Sequence, residues 1–451
     1  MRKKAAIIIG IIALVAILGG ITTHYSYAYF SAKKYDNAIL PGVKVEGVDL
    51  SGMTKTQAMS TLKSKFGDEI VKKKVNIKAQ DNTYTIDYGK LNGKYNIEEM
   101  INKAFSYGRD LGFIDKYKII KNPTEKPYKL GFTYDVKPIK DIIAEIQKKV
   151  DKPPVNASIS MAGSGNFKIT PGKSGYKLQA DKLEKDILSK INGELGEDVN
   201  VQAAVDEVAP TVTEEKLSHI NTRISTYSTN FATSSEQRAN NVSLSTRTVN
   251  GTVLMPGDTF SFNDIVGERT VARGYQEAPV IVGNKIESGL GGGICQVSST
   301  LYNAMLRANV KATERTHHTL PSSYVQLGMD ATVDYGNIDY KFVNTLPYPI
   351  YIEGYTQNRI LYFNVYSDNS LTSHQYEITN EIIQTIPAQT TEVSDPTQPV
   401  GYAEVVQKPY DGFKVKVTKT TYENGKIVGT EVVSNDYYKE VTGVTKRGTK
   451  K

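Results

Sequence analysis

The chain has 451 residues, 39% of them apolar and 23% charged, with a formal net charge of +7. That length allows about three domains with real cores, and the composition is that of globular protein rather than of a disordered chain. A single cysteine, Cys295, excludes an intrachain disulfide framework and any multi-cysteine zinc or iron–sulfur centre, while the modest positive charge suits an anionic envelope and forms no basic stripe of the kind nucleic acid needs.

Met1-Arg2-Lys3-Lys4 precedes an apolar run from Ala5 to Ile21, and no Asp, Glu, Lys or Arg occurs from Ala5 to Ala32. The run is near the ~20 residues that span a bilayer. Its basic start predicts a cytoplasmic N-terminus, with everything after it outside. Tyr25, Tyr27, Tyr29 and Phe30 then read as an interfacial aromatic belt. A cleaved signal peptide, with Ser26-Tyr27-Ala28 as its small-x-small site, is the alternative. The run exceeds the ~7–15 apolar residues of such a peptide, which favours a single-pass membrane anchor over residues 1–34. On either reading the body is extracytoplasmic, and an unpaired cysteine there is a candidate reactive thiol.

Residues 35–125 and 126–210 read as two α+β modules. YTIDYGK (Tyr84 to Lys90) matches FKITPGK (Phe167 to Lys173), and each leads into a helical stretch. In the first module Thr54 and Gln57 form a capping box ahead of a stripe of Ala58, Met59, Leu62 and Phe66. In the second, Ile139, Ile142, Ile143, Ile146 and Val150 make the stripe. Residues 211–370 form a mixed α+β domain with one well-marked helix. TTEVSDPTQPV, Thr390 to Val400, reads as a turn-rich linker. The rest of 371–451 is a small all-β domain with a hairpin at Asn424-Gly425, and Lys446-Arg447 and Lys450-Lys451 read as a solvated basic tail.

The chemistry concentrates in GLGGGICQVSSTLYNAMLRANV, Gly289 to Val310. Val297, Leu301, Ala304, Met305 and Ala308 recur at helical spacing, so a helix begins near Cys295. Free amides at a helix start favour a thiolate. Glycines at Gly291, Gly292 and Gly293 let backbone N–H groups approach a substrate as an oxyanion hole requires. A cysteine so placed, with a histidine as base, is a recurrent solution for acyl transfer. The base candidates are His317 and His318; on an extended segment at most one faces the thiol. Asp330, Asp334 or Asp339 could orient the imidazole. Arg238, Arg269 or Arg315 could bind a substrate carboxylate, and Ser298 is a secondary polar candidate. Cysteine plus two histidines lacks a fourth zinc ligand, so neither metal nor cofactor is expected.

The stretch NFATSSEQRANNVSLSTRTVNGTVLMPGDTFSFNDIVGERTVARGYQEAP, followed by GGGICQVSSTLYNAML, ERTHHT, GMDATVDYGNIDYKFVN and PIYI, strongly resembles the VanW family over about Glu214 to Ser367. The segment PGVKVEGVDLSGMTKTQA is similar to peptidoglycan-binding modules that precede such domains, and the C-terminal segment resembles the small β domains called G-five. The resemblance implies an L,D-transpeptidase that cross-links diaminopimelate residues of peptidoglycan stems through a Cys295 thioester. The family's Glu-Arg-x-x-His-Ser/Thr pattern falls on Glu314, Arg315, His318 and Thr319, and so prefers His318 over His317. The implied partners are stem peptides, glycan and the membrane. An L,D-carboxypeptidase or endopeptidase, or a non-catalytic wall binder, are the alternatives; the oligomeric state stays open.

Overall fold

The computed structural model describes residues 1–163, 165–283 and 285–451. They form two compact units, one of residues 1–155 and 174–209, the other of 156–173 and 210–451.

In the first unit, Arg2–Lys33 is a single helix, and it carries the one stretch among the described residues that is long and apolar enough to cross a membrane. Its last turns do more than approach an interface. Ala28 and Ala32 are buried, and His24, Tyr25, Tyr27 and Tyr29 meet Phe113 and Tyr117 edge-on, on the helix Phe113–Lys121. The aromatic set expected at a lipid interface is therefore partly engaged with protein.

Two cores follow, and they are not the two sequential modules 35–125 and 126–210. The first gathers Ile39, Val43, Leu50, Ala58, Leu62, Met100 and Ala104. The predicted capping box is present: Thr54 Oγ1 accepts from Gln57 N–H at 3.3 Å, and Gln57 Oε1 accepts from Thr54 N–H at 2.9 Å. The second core joins Val75, Ile77 and Ile86 to the stripe of Ile139, Ile143, Ile146 and Val150 and to Val199 and Val201. Its seam is a parallel pairing of Lys74–Ala79 with Val199–Gln202. Parallel pairing needs a long crossover, which is why the halves interleave although the sequence suggests stacking. The matched heptapeptides each supply the second strand of an antiparallel hairpin. Only the first hairpin, however, belongs to this unit. The second, Ser158–Thr170, belongs to the other unit, where Phe167 packs edge-on against Tyr351 and Tyr366.

The second unit is built on the central helix Ile294–Arg307. It lies with the helix Glu236–Val249 on a four-stranded antiparallel sheet ordered Thr222–Asn230, Ile360–Ser367, Ile350–Gln357, Thr252–Leu254. Val297, Leu301, Ala304 and Met305 are buried against Val242, Phe260, Phe363 and Val365. Polar side chains pin the register. Ser225 Oγ donates to the Ala304 carbonyl at 2.8 Å, and the Thr229 and Thr300 hydroxyls bond at 2.8 Å.

The C-terminal domain has two three-stranded sheets. Asn424 and Gly425 both take positive φ, 51° and 74°, and join Gly412–Glu423 to Lys426–Tyr438 as predicted. Two expectations fail here. Thr390–Pro399 is a strand rather than a linker, and Gly443–Lys450 is the middle strand of its sheet rather than a solvated tail. The first pairs parallel with the second, and Arg447 meets Glu392 at 2.9 Å. Polar segments, the first with two prolines, read as coil from local composition; the pairing of residues over fifty positions apart overrides it.

Leu301 is fully buried at the centre of this core. Leu301→Ala should therefore cost about 2–5 kcal/mol, read as a lowered denaturant midpoint for the second unit. An unchanged midpoint would contradict the central position of this helix.

Candidate active site

The site begins at a turn that admits only glycine. Gly291 and Gly293 have φ of 82° and 104°. A side chain at Gly292 would stand 2.6 Å from the Ala278 carbonyl oxygen, and one at Gly293 would stand 2.8 Å from Arg238 Cγ. Among the described residues, the amides of Gly292, Gly293 and Cys295 have no hydrogen-bond acceptor, whereas Ile294 and Gln296 donate to Gly291 and Gly293 carbonyls. Three unpaired N–H groups thus lie at the start of the helix that carries the thiol. Cys295 is its second residue and is partly exposed.

The same helix holds the chain segment that answers the thiol. Ser298 Oγ donates to the Ala331 carbonyl at 2.6 Å, Ser299 Oγ accepts from Ala331 N–H at 2.9 Å, and Asn303 Nδ2 donates to the Met329 carbonyl at 2.6 Å. These bonds lay residues 329–331 along the helix and fix Asp330 between them. The Cys295 thiol reaches the Val333 carbonyl, farther along the same segment, at 3.5 Å.

Asp330 is almost completely buried and receives four donors. Its Oδ2 accepts from the His318 backbone N–H at 2.7 Å and lies 2.5 Å from His318 Nδ1. Its Oδ1 accepts from the Tyr438 hydroxyl and from Arg315 Nη2 at 3.3 Å. Burial alone would raise the carboxyl's pKa. The bonds from His318 and Tyr438 and the charge of Arg315 outweigh it and hold the group at about 2. An Nδ1–H given to this carboxylate leaves Nε2 free for chemistry. The His318 ring and the Cys295 sulfur interact electrostatically, each favouring the other's charged form, and His318 Nε2 lies 3.5 Å from the Tyr324 hydroxyl. Burial opposes the imidazolium, but Asp330 and the thiolate raise its pKa to about 10. Burial likewise opposes the thiolate, but the bond and charge of His318, aided by Arg269, bring the thiol below its ordinary value. The two groups therefore favour each other's charged forms, thiolate and imidazolium, an arrangement suited to nucleophilic attack and proton return.

Of the residues singled out in the sequence, the structure brings together Cys295, His318, Asp330 and the three glycines. Arg238 also borders the thiol. It donates to Ser234 Oγ at 2.7 Å and Gln296 Oε1 at 2.8 Å, and lies 5.9 Å from the Tyr324 ring. Arg269 lies against the glycine turn, and the others are engaged elsewhere. His317 turns away: its Nδ1 lies 2.7 Å from the His318 carbonyl and its ring 4.6 Å from that of Tyr438. Arg315 is buried between Asp330 and Asp436, unavailable to a substrate carboxylate. Ser298 braces the Asp330 segment. Asp339 accepts from Ser261 Oγ and the Asn263 amide, and Asp334 closes a turn with Asn337. Neither takes the imidazole. Glu314, on the adjoining strand, pairs with Lys341.

The sequence reading passed over Tyr324 and Tyr438. Tyr324 stays a phenol, its pKa driven far up by burial and by the charges of Cys295 and Asp330. Only its nearness to His318 in ERTHHTLPSSY hinted at it. Tyr438 had no local signal, because it lies 108 residues from Asp330.

Two pH effects follow. The pH profile of thiol alkylation of the native chain should be centred below that of a free thiol, ~8.5. His318→Ala should move the profile upward, since burial is then opposed only by the Val333 contact and the charge of Arg269. A wild-type profile centred near 8.5 would contradict the ion pair. Folding stability from His318 is fully present below about pH 6.5 and is lost as pH rises through about 10; that from Asp330 is present above about pH 3.9 and is lost as pH falls through about 2.

Comparison with known proteins agrees with the sequence resemblance. The family model for VanW like protein matches residues 237–366, that titled "Putative peptidoglycan binding domain" matches 84–200, and that for the G5 domain matches 377–450. The uncharacterized protein YoaR of Bacillus subtilis (strain 168) is 37% identical over 237 residues, 52% of this chain and 76% of that protein. Vancomycin B-type resistance protein VanW of Enterococcus faecalis (strain ATCC 700802 / V583) is 32% identical over 114 residues, 24% of this chain and 42% of that protein. Among solved structures, the G5 domain of an IgA1 protease is 25% identical over 17% of this chain and 94% of its own, with a TM-score of 0.14.

Proposed function

The chain belongs to the VanW family, and from that premise we propose that it is an L,D-transpeptidase of the cell envelope. Its peptidoglycan-binding and G5 matches and its apolar N-terminal helix fit an envelope-associated, wall-binding protein. The observation that carries the catalytic reading is the relay of Cys295, His318 and Asp330, built on the chain's only cysteine.

In this reaction the Cys295 thiolate attacks the carbonyl of the third stem residue, a diaminopimelate, in a tetrapeptide donor. The tetrahedral oxyanion lies against the unpaired amides of the Gly292–Cys295 turn. The carbon–nitrogen bond breaks, the His318 imidazolium protonates the departing D-Ala amine, and a thioester remains. The side-chain amine of a second diaminopimelate then attacks the thioester, giving its proton to His318 as the thiolate leaves. One amide and one amine are consumed and one of each is formed. Water in place of the second amine would make the same site an L,D-carboxypeptidase or endopeptidase.

Arg269 supports a donor that carries a carboxylate. Its two terminal nitrogens are buried and have no hydrogen-bond partner among the described residues. Its stem lies against the glycine turn, Cγ standing 3.1 Å from where a Gly291 side chain would begin. Burial lowers its pKa while the Cys295 charge opposes that fall. The guanidinium lies 5.8 Å from the Phe262 and Tyr335 rings, and without a hydrogen-bond partner its burial is costly until an anion reaches it. The D-Ala carboxylate, next to the scissile bond, is such an anion.

Purified tetrapeptide muropeptides should yield dimers joined through two third-position residues with the wild type and none with Cys295→Ala. Monomeric tripeptides alone would favour hydrolysis, and dimers from Cys295→Ala would refute the mechanism. Arg269→Met should lose about 10–100-fold in kcat/KM, and should no longer discriminate between a donor ending in a free carboxylate and its C-terminal amide. Unchanged discrimination would remove Arg269 from donor recognition.

A further inference from the structure

The C-terminal β domain reads from sequence as an appendage. The contacts it makes are of another kind. Tyr438, the last residue of the strand Lys426–Tyr438, is buried and donates its hydroxyl hydrogen to Asp330 Oδ1. The same hydroxyl accepts from the Gly328 N–H at 2.8 Å. Two residues earlier, and so on the same face of the strand, buried Asp436 holds Arg315 Nη1 at 2.7 Å, while Arg315 Nη2 reaches Asp330. Arg315 Nε and Nη2 also bind the carbonyls of Asp330 and Gly328 at 2.6 and 3.0 Å. Two of the four donors on the relay's carboxylate therefore come from this strand or are held by it.

The seam around them is tight. Gly328 has φ of 83°, and a side chain there would stand 2.4 Å from Val417 Cγ2. Asn380 Nδ2 donates to the Leu327 carbonyl at 3.1 Å. Lys419, buried at its edge, bonds Asn309 and pairs with Glu431 at 2.5 Å, and Glu431 also meets Lys311 at 2.6 Å. All three strands of the sheet thus clamp the turn that delivers Asp330 to His318.

We propose that the C-terminal domain completes the active site, with Tyr438 and Asp436 as positioning residues that set the charge on Asp330 and, through His318, the ionisation of Cys295. The proposal rests on the thiolate–imidazolium reading above. Its logic is electrostatic. Without the Tyr438 hydrogen bond Asp330 stays ionised, held by His318 and Arg315, and the charge that the hydroxyl had shared bears on the imidazolium. The imidazolium then feels a stronger counter-charge, and the thiol becomes easier to ionise. A module that only bound wall polymer would leave the thiol's titration untouched.

The chain has one thiol, so the rate of iodoacetamide alkylation of the full-length folded protein, followed against pH, reports Cys295 alone. Tyr438→Phe keeps the ring and removes the hydrogen bond. It should move the alkylation midpoint downward by roughly 0.5–1 pH unit. Asp436→Asn, which removes a buried negative charge and leaves Arg315 to bear on Asp330 alone, should move it upward and by less. A depressed wild-type midpoint with both variants unshifted would overturn the proposal, even if their unfolding temperatures fell, because that pattern is a merely structural role. A wild-type midpoint already near that of a free thiol would instead overturn the ion-pair reading, and this proposal with it.

Discussion

The second unit depends on one buried carboxylate. Asp330 lies in a core where an ionised acid is normally excluded, and it is tolerated because every face of it meets a donor: the His318 amide and ring, the Arg315 guanidinium and the Tyr438 hydroxyl. These donors come from different parts of the chain, and the segment carrying Asp330 is itself tied to the central helix by Ser298, Ser299 and Asn303. Removing any one donor leaves a charge that water cannot reach. Fold and chemistry are therefore coupled at this point: the ionised Asp330 favours the His318 imidazolium and, through it, the Cys295 thiolate.

The thiol side of the site obeys a different constraint, that of space. The turn before the helix passes so close to the Ala278 carbonyl and to Arg238 that only glycine fits. The same compactness leaves backbone N–H groups unpaired next to Cys295. Helix start, glycine turn and relay converge on one atom. The four-stranded sheet behind them serves as a rigid floor.

Much of this was legible in the sequence, for local reasons. A glycine run ahead of a helical apolar pattern locates both the turn and Cys295. The Asn424-Gly425 pair and the Thr54–Gln57 box speak through residues next to one another. The pair His317 and His318 was narrowed by the family pattern, and the structure shows a physical difference between them: one ring faces Asp330 and the thiol, the other Tyr438. What stayed hidden involves distance along the chain. The parallel pairing of 74–79 with 199–202 interleaves the N-terminal cores, and that of 390–399 with 443–450 turns apparent linker and tail into sheet. Tyr438 and Asp436 could not be found by spacing, because their partners lie over a hundred residues away. Arg315 and Ser298 looked chemical by proximity, yet their hydrogen bonds are spent inside the protein.

The central claim is that Cys295 forms a covalent bond with a peptidoglycan stem. It is tested most directly by the intact mass of the full chain, acid-quenched during turnover of a disaccharide tetrapeptide. The account predicts a mass increase equal to the donor less D-Ala, mapped by peptide digestion to Cys295 and absent from Cys295→Ala. Cross-linked product accumulating with no adduct on Cys295, or with an adduct on another residue, would contradict it.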